Sequence, residues 1–276
     1  MDQILNNESN TQELNTHILN TKFDKIYVIH CVEDTVRYNN IQYQKEQSGI
    51  DFDIWWTTKS HPFSEQMLNG ILLSGYGRYI VNKNELNLVR EFYAIIKIAY
   101  ERSFNHILIF EDDFSLMKNE NIEEFISNIP EDFDIIQFST LANKKLFNYD
   151  NLIKQYENGI LFTQVNSGFW SNNGLALSRN GMKYFLDYYK TEFVAADIPQ
   201  FEINNTNKFF GKIYIKEKYK NIKSYISTVP LVYLQYELNS NVQSAEDKSK
   251  QELYAYYKLV DKQYYYIYEN NKNRTN

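Results

Sequence analysis

The chain has 276 residues, of which 43% are hydrophobic and 23% are charged, and its formal net charge is −6. A chain of this length and composition can bury a sizeable core, which excludes a largely disordered protein. The acidic balance disfavours nucleic-acid binding, because that function needs a concentrated basic surface.

The cysteine content and the hydropathy pattern indicate a cytoplasmic location. Cys31 is the only cysteine, so no intrachain disulfide can form and a reducing compartment is the natural interpretation. No apolar run approaches the roughly 20 residues that span a bilayer, and residues 1–22 lack the hydrophobic core of a signal peptide. We expect a cytoplasmic protein with at most peripheral contact at the inner face of a membrane.

The first half of the chain predicts a β-α-β unit followed by a long amphipathic helix that leads into a buried strand. Compact β-rich runs alternate with segments in which apolar residues recur every three or four positions. The β-α-β unit implies parallel strands joined by a right-handed crossover. The predicted elements are strands at 25–30, 52–56 and 106–110, helices at 35–47 and 85–102, and a loop with short helical pieces at 59–84.

The second half continues this alternation and predicts an α/β fold with a central, mostly parallel sheet flanked by helices. Neither internal repeats nor a Gly/Ser linker are present, which favours a single domain. We expect that domain at 23–243, between a flexible polar arm at 1–22 and a Tyr-rich helical segment and tail at 244–276. The predicted elements are helices at 122–129 and 179–190, strands at 134–139 and 174–178, a polar connection at 141–160 and a proline-containing edge element at 227–233.

Three consecutive carboxylates, Glu111, Asp112 and Asp113, directly follow the predicted strand at 106–110. Ligands of open α/β sheets bind outside the carboxyl ends of the strands, which predicts that these acids lie in a crevice. A divalent cation would relieve their mutual repulsion, and oxygen ligands suit Mg²⁺ or Mn²⁺ shared with substrate phosphates. The alternative is an acidic loop that caps the next helix.

Four segments of the chain occur in a characteristic order: 25–30 with Arg37 and 49–52, the Glu-Asp-Asp strand at 107–113, the segment 174–181 and the segment 196–199. In these segments and their order, the chain resembles glycosyltransferase family 25 over residues 23–235. The family includes bacterial lipooligosaccharide galactosyltransferases and collagen galactosyltransferase domains. One departure is at 84–90, where the family has a signature with Cys and His, and another is that no histidine follows His106.

The resemblance implies a GT-A fold with a Rossmann-like nucleotide half and a more variable acceptor half. It also implies transfer of a hexose from a UDP-sugar, UDP-galactose ahead of UDP-glucose, to a hydroxyl of a glycan or glycoprotein, as in lipopolysaccharide biosynthesis. Mn²⁺ or Mg²⁺ is the implied cofactor. A nucleotidyltransferase using the same acids, and a non-catalytic member that only binds glycans, remain alternatives.

Nucleotide and metal contacts are expected at the ends of the first three strands. Asp113 and Glu111 are the predicted metal ligands, and Glu111 or Asp112 could also contact the ribose. His30, Arg37 and Thr57 are predicted to contact the nucleotide. A core histidine, a surface arginine and an ordinary strand-end hydroxyl are the respective alternatives for these three residues.

Asp197 is the predicted general base, because an inverting transfer needs a carboxylate that accepts the proton of the attacking hydroxyl. It follows the apolar residues 194–196, and partial burial would raise its pKa. It could equally be a helix N-cap, since Pro199 follows closely.

Overall fold

The structure is a computed structural model that describes seven ranges of the chain. These are residues 19–58, 83–116, 119–139, 149–165, 172–189, 218–228 and 231–234. Residues 1–18 of the N-terminal arm predicted at 1–22, most of the loop at 59–84 and the C-terminal segment at 244–276 lie outside the described residues. Leu19, in the described part of that arm, is buried in the core. Within the described ranges, no helix is both long enough and apolar enough to span a membrane.

Strands and helices alternate along much of the described chain. The strands are β1 Lys25–Cys31, β2 Asp53–Thr57, β3 His106–Glu111, β4 Phe114–Leu116, β5 Ile135–Gln137, β6 Phe162–Val165, β7 Leu175–Ser178, β8 Ser224–Ser227 and β9 Val232–Leu234. The helices are α1 Thr35–Ser48, α2 Lys83–Glu101, α3 Asn119–Ser127, α4 Tyr149–Glu157 and α5 Arg179–Tyr189.

Seven of these strands form one mixed sheet in the order β2-β1-β3-β7-β5-β8-β6. The pairs β1–β2, β1–β3 and β5–β8 are parallel, whereas β3–β7, β5–β7 and β6–β8 are antiparallel. Strands β4 and β9 form a separate antiparallel pair. Because β7 runs against β3, its first residues lie at the same edge of the sheet as the carboxyl ends of β1, β2 and β3.

Alternate side chains of the central strands face two apolar layers, as expected for strands that are covered on both faces. One face of β3 presents Ile107 and Ile109 to α2 and α5, and the other presents Leu108 and Phe110 to the opposite layer. The apolar stripe predicted for the long helix is buried in the first layer. Of its predicted members, Phe92, Ile95, Ile96 and Ala99 are buried and Leu88 is partly buried; Val89, which was not predicted, is buried beside them.

The predicted α/β fold is confirmed, but the sheet is mixed and not mostly parallel, because three of its six strand pairs are antiparallel. The other differences concern short or polar elements. The polar connection predicted at 141–160 is wrong, because α4 occupies Tyr149–Glu157. Tyr149, Leu152, Ile153 and Tyr156 recur at the three-and-four spacing of an amphipathic helix, and Leu152 and Tyr156 are buried. The single edge element predicted at 227–233 is replaced by β8, which belongs to the large sheet, and β9, which pairs with β4.

Candidate functional site

The candidate site lies at the edge of the sheet where β1, β2 and β3 end and β7 begins. The parallel register pairs Ile29 of β1 with Glu111 of β3, and Cys31 of β1 with Thr57 of β2. The three carboxylates at 111–113 therefore follow a central strand and lie beside the end of β1. This is the position that the sequence predicts for them.

Asp112 is the most deeply embedded of the three acids, with an exposed fraction of 5%. Its Oδ1 accepts a hydrogen bond from Arg37 Nη1 at 2.5 Å, and its Oδ2 accepts one from His30 Nδ1 at 2.9 Å. The backbone N–H of Cys31 lies 3.4 Å from the same Oδ2. The carboxylate of Asp112 is thus bound by neighbouring protein groups and joins β1, α1 and β3 into one network.

The ionisation of Asp112 follows from these partners. Burial raises the pKa of the Asp112 carboxyl. The hydrogen bond from His30 and the charge of Arg37 lower this pKa by more than burial raises it, so it lies below the usual range. An ionised carboxylate only accepts hydrogen bonds, so His30 Nδ1 carries the hydrogen.

Arg37 is a buried cation among carboxylates, not a surface arginine. Asp34 caps α1 by accepting from the N–H of Arg37, which fixes Arg37 in the first turn of the helix. The guanidinium of Arg37 also lies 3.5 Å from Asp113 Oδ2 and 3.5 Å from Asp34 Oδ2. Burial lowers the pKa of Arg37, but Asp113 and Asp112 raise it by more, so the residue stays charged. Part of the repulsion among the acids is therefore relieved by the protein itself.

Asp113 lies nearer to solvent and is held from two sides. Its side chain is 17% exposed, and its Oδ1 accepts from Asn173 Nδ2 at 3.0 Å. The Oδ1 of Asn173 in turn accepts from the backbone N–H of Glu111 at 3.1 Å. One amide therefore sets the position of Asp113 relative to the end of β3.

Asn173 was not predicted from the sequence. Its hydrogen bonds depend on β7 being antiparallel to β3, because only that direction brings residues 172–174 to this edge. Two consecutive asparagines immediately before a buried apolar run are the signal that could have drawn attention to it.

Only glycine fits at position 174, and this residue sets the backbone path of the segment that carries Asn172 and Asn173. Its φ is +77°, and a Cβ would lie 2.8 Å from Val232 Cγ2 and 3.1 Å from Phe138 Cβ. Its N–H donates to Ile109 O at 3.1 Å, and its carbonyl accepts from the N–H of Phe138 at 2.9 Å. The two asparagines before it are consequently anchored to both neighbouring strands.

His30 is buried, as the alternative of a core histidine expects, but one of its ring nitrogens is unsatisfied. Its exposed fraction is 1%, and Nε2 has no hydrogen-bond partner in the part of the chain that the structure describes. The rings of Tyr38 and Trp56 lie with their centroids 5.6 and 5.3 Å from that of His30. Trp56 is 53% exposed, so this aromatic group reaches the surface beside the carboxylates.

The hydroxyl of Thr57, which was predicted to contact the nucleotide, is engaged by α2. It accepts from Asn87 Nδ2 at 3.0 Å and donates to Glu91 Oε1 at 3.2 Å. Glu91 also accepts from Trp55 Nε1 at 2.7 Å and from Arg90. These partly buried polar side chains link the end of β2 to the long helix.

A divalent cation is compatible with the donor chemistry of this edge. No group of three or more His, Cys, Asp or Glu side chains arranged to hold a metal occurs within the described ranges. Mg²⁺, however, is commonly held by one or two protein carboxylates together with substrate phosphates. Asp113 and Glu111 are of that type, and the remaining acid, Asp112, is committed to Arg37 and His30. The predicted base, Asp197, lies outside the described residues.

Comparison with known proteins adds a family match. The model of "Glycosyltransferase family 25 (LPS biosynthesis protein)" matches residues 23–199, which is more than half of the chain. No curated protein matches the chain.

Two solved structures show distant similarity. One is a glycosyltransferase involved in the glycosylation of the major capsid of PBCV-1, with 9% identity, a TM-score of 0.37, and coverage of 73% of this chain and 80% of that chain. The other is a protein from STIV, with 11% identity, a TM-score of 0.33, and coverage of 81% of this chain and 99% of that chain.

Proposed function

The chain belongs to glycosyltransferase family 25 and is a glycosyltransferase; we propose that it transfers a hexose from a UDP-sugar to a hydroxyl of a glycan or glycoprotein. Galactose is the first candidate for the hexose and glucose the second. The observation that carries the proposal is that Asp112 and Asp113, at the end of β3, have different environments. Asp112 is bound inside the protein, whereas Asp113 is held by Arg37 and Asn173 with part of its side chain exposed.

We propose that Asp113 and Glu111 hold Mn²⁺ or Mg²⁺ together with the diphosphate of the donor. When bound, such an ion supplies positive charge that stabilises the leaving diphosphate. Two features of the described residues support this assignment. Asp113 is positioned before any ligand arrives, and Arg37 lies close enough to add positive charge on the same side.

For the nucleotide, we propose that His30 and Trp56 contact the base and that Arg37 faces the phosphates. Support comes from the unsatisfied Nε2 of His30 and from the exposure of Trp56, since nucleobases stack on aromatic side chains. Asp112 would act as a positioning residue, because its carboxylate orients both His30 and Arg37. Thr57 would line the same pocket through its place at the end of β2.

Asp197 remains the proposed general base. In an inverting transfer, its carboxylate accepts the proton of the acceptor hydroxyl while the hydroxyl oxygen forms a bond to the anomeric carbon. The bond between that carbon and the phosphate oxygen breaks at the same time, and UDP leaves on the opposite face.

Product identity tests the proposal directly. The purified chain is incubated with a panel of nucleotide sugars and Mn²⁺, and the released products are separated by chromatography. Release of UDP from UDP-galactose or UDP-glucose is expected. Release of pyrophosphate would instead indicate a nucleotidyltransferase, and glycan binding without nucleotide binding would indicate a non-catalytic member of the family.

A further inference from the structure

Asn172 is a buried amide whose hydrogen-bonding groups are unused. Its exposed fraction is 2%, and neither its Nδ2 nor its Oδ1 has a hydrogen-bond partner among the residues that the structure describes. Buried polar groups in folded proteins are nearly always paired, because leaving them unpaired costs free energy. Asn172 is the residue with both a donor and an acceptor unpaired among the buried side chains that the structure describes, so both atoms are available to a ligand.

The position of Asn172 is set by its neighbours along the chain. Asn173 contacts both Asp113 and the N–H of Glu111, and its carbonyl accepts from Ser139 Oγ. Gly174 pairs with β3 on one side and with Phe138 on the other. Asn172 is therefore one residue away from the amide that holds Asp113, on a segment anchored to two strands.

The chemistry of an amide narrows the class of ligand. A phosphate offers only acceptors and would leave Oδ1 unpaired, whereas a cation would leave Nδ2 unpaired. A sugar hydroxyl both donates and accepts, and two neighbouring hydroxyls satisfy both atoms of one amide. A nucleotide sugar carries such hydroxyls on its ribose and on its hexose.

We propose that Asn172 is a binding residue that pairs with a sugar hydroxyl of the nucleotide-sugar donor beside Asp113. The inference rests on the proposed function, because it takes the donor to be a UDP-hexose. It assigns to the start of β7 a role in sugar recognition, in addition to the structural role of Asn173.

Binding measured by calorimetry tests this role. UDP, UDP-galactose and UDP-glucose are titrated, with Mn²⁺ present, into the unmodified protein, Asn172→Ala and Asn172→Leu. The matched control is Asn128→Ala, which removes an exposed amide whose Nδ2 donates to Glu124 O. We expect both Asn172 variants to bind the preferred UDP-hexose about tenfold more weakly or worse, and the control to bind it normally.

Titration with UDP distinguishes a ribose hydroxyl from a hexose hydroxyl, because UDP carries the ribose but no hexose. Unchanged UDP affinity in the Asn172 variants assigns the contact to the hexose, whereas an equal loss for UDP and UDP-hexose assigns it to the ribose. Thermal unfolding separates a binding role from a purely structural role, because loss of a structural contact would lower the Tm of the Asn172 variants. Removing an unpaired buried amide is expected to leave Tm unchanged or raised.

Two outcomes would overturn the inference. Normal affinity for all three nucleotides in both Asn172 variants would show that the amide does not contact the donor. Failure of the unmodified protein to bind any of the three would instead overturn the proposed function, and the role of Asn172 with it.

Discussion

Arg37 and Asp112 form a buried ion pair at the end of β3, with Nη1 of the guanidinium 2.5 Å from Oδ1 of the carboxylate. The two residues are 75 positions apart in the sequence. The pair links the first turn of α1 to the acidic motif and leaves Asp113 as the more exposed aspartate of that motif. A structural requirement and a proposed chemical role are thus assigned to adjacent residues.

Removing the guanidinium of Arg37 should lower the free energy of unfolding. In Arg37→Leu, Asp112 keeps its buried charge without the guanidinium, and we expect a loss of about 3–5 kcal/mol in the free energy of unfolding. Urea denaturation followed by circular dichroism measures it. The control, Arg102→Ala, removes an exposed arginine and should change stability by less than about 0.5 kcal/mol. Equal stabilities of the two variants would contradict the account.

Stability should depend on pH through Asp112. Its folded-state pKa is lowered, so its contribution is fully present above the pKa of the unfolded carboxyl, about 3.9. That contribution is lost as pH falls through the folded-state pKa. We therefore expect the unmodified protein to exceed Asp112→Asn in stability by a constant amount from pH 7 to about 5, and the difference to shrink below pH about 4. A difference independent of pH down to 3 in urea denaturation would show that Asp112 is not ionised in the folded protein.

Gly174 and Gly159 form a natural pair for separating backbone strain from steric conflict. Their φ angles are +77° and +78°, but a Cβ at Gly174 meets Val232, whereas one at Gly159 meets nothing within 4 Å. Gly159→Ala should cost about 1–2 kcal/mol from φ alone. Gly174→Ala should cost about 1–3 kcal/mol more, because Val232 and Phe138 must move. Chemical denaturation of both variants measures the difference, and equal losses would contradict the tight packing around Gly174.

Trp56 should contribute to nucleotide affinity without contributing much to stability. Stacking of a base on an aromatic side chain is worth about 1–3 kcal/mol, so Trp56→Ala is expected to weaken UDP binding by about tenfold or more. Tyr43→Ala, which removes another exposed aromatic ring, is the control. Unchanged UDP affinity in Trp56→Ala, measured by calorimetry, would remove Trp56 from the proposed base pocket.

The sequence predicted the parts of this architecture that depend on local pattern. The buried runs of β1 and β3, the apolar stripe of α2 and the placement of the three acids at a strand end follow from hydrophobic periodicity and the order of elements. The helix at Tyr149–Glu157 was not predicted, although Tyr149, Leu152, Ile153 and Tyr156 follow helical spacing, because the helix is short and lies within a largely polar stretch.

The hydrogen-bond partners of the site residues could not be predicted from local sequence pattern. The contact between Asn173 and Asp113 depends on β7 running antiparallel to β3, which no local pattern encodes. The pairing of Asp112 with Arg37 and His30 likewise arises from the packing of distant segments. The sequence therefore predicted that His30, Arg37 and the three acids gather at this edge, but not that Asn173 joins them or that Asp112 is bound within the protein.

The measurement that tests the central proposal most directly is UDP release from UDP-galactose and UDP-glucose by Asp113→Asn in the presence of Mn²⁺. Glu46→Gln, which neutralises an exposed carboxylate on α1, is the control. We expect UDP release by Asp113→Asn to fall about a hundredfold or more, since charge stabilisation of the leaving diphosphate is worth several kcal/mol, while the control keeps normal turnover. Normal UDP release by Asp113→Asn would contradict the proposal that this carboxylate serves the transfer.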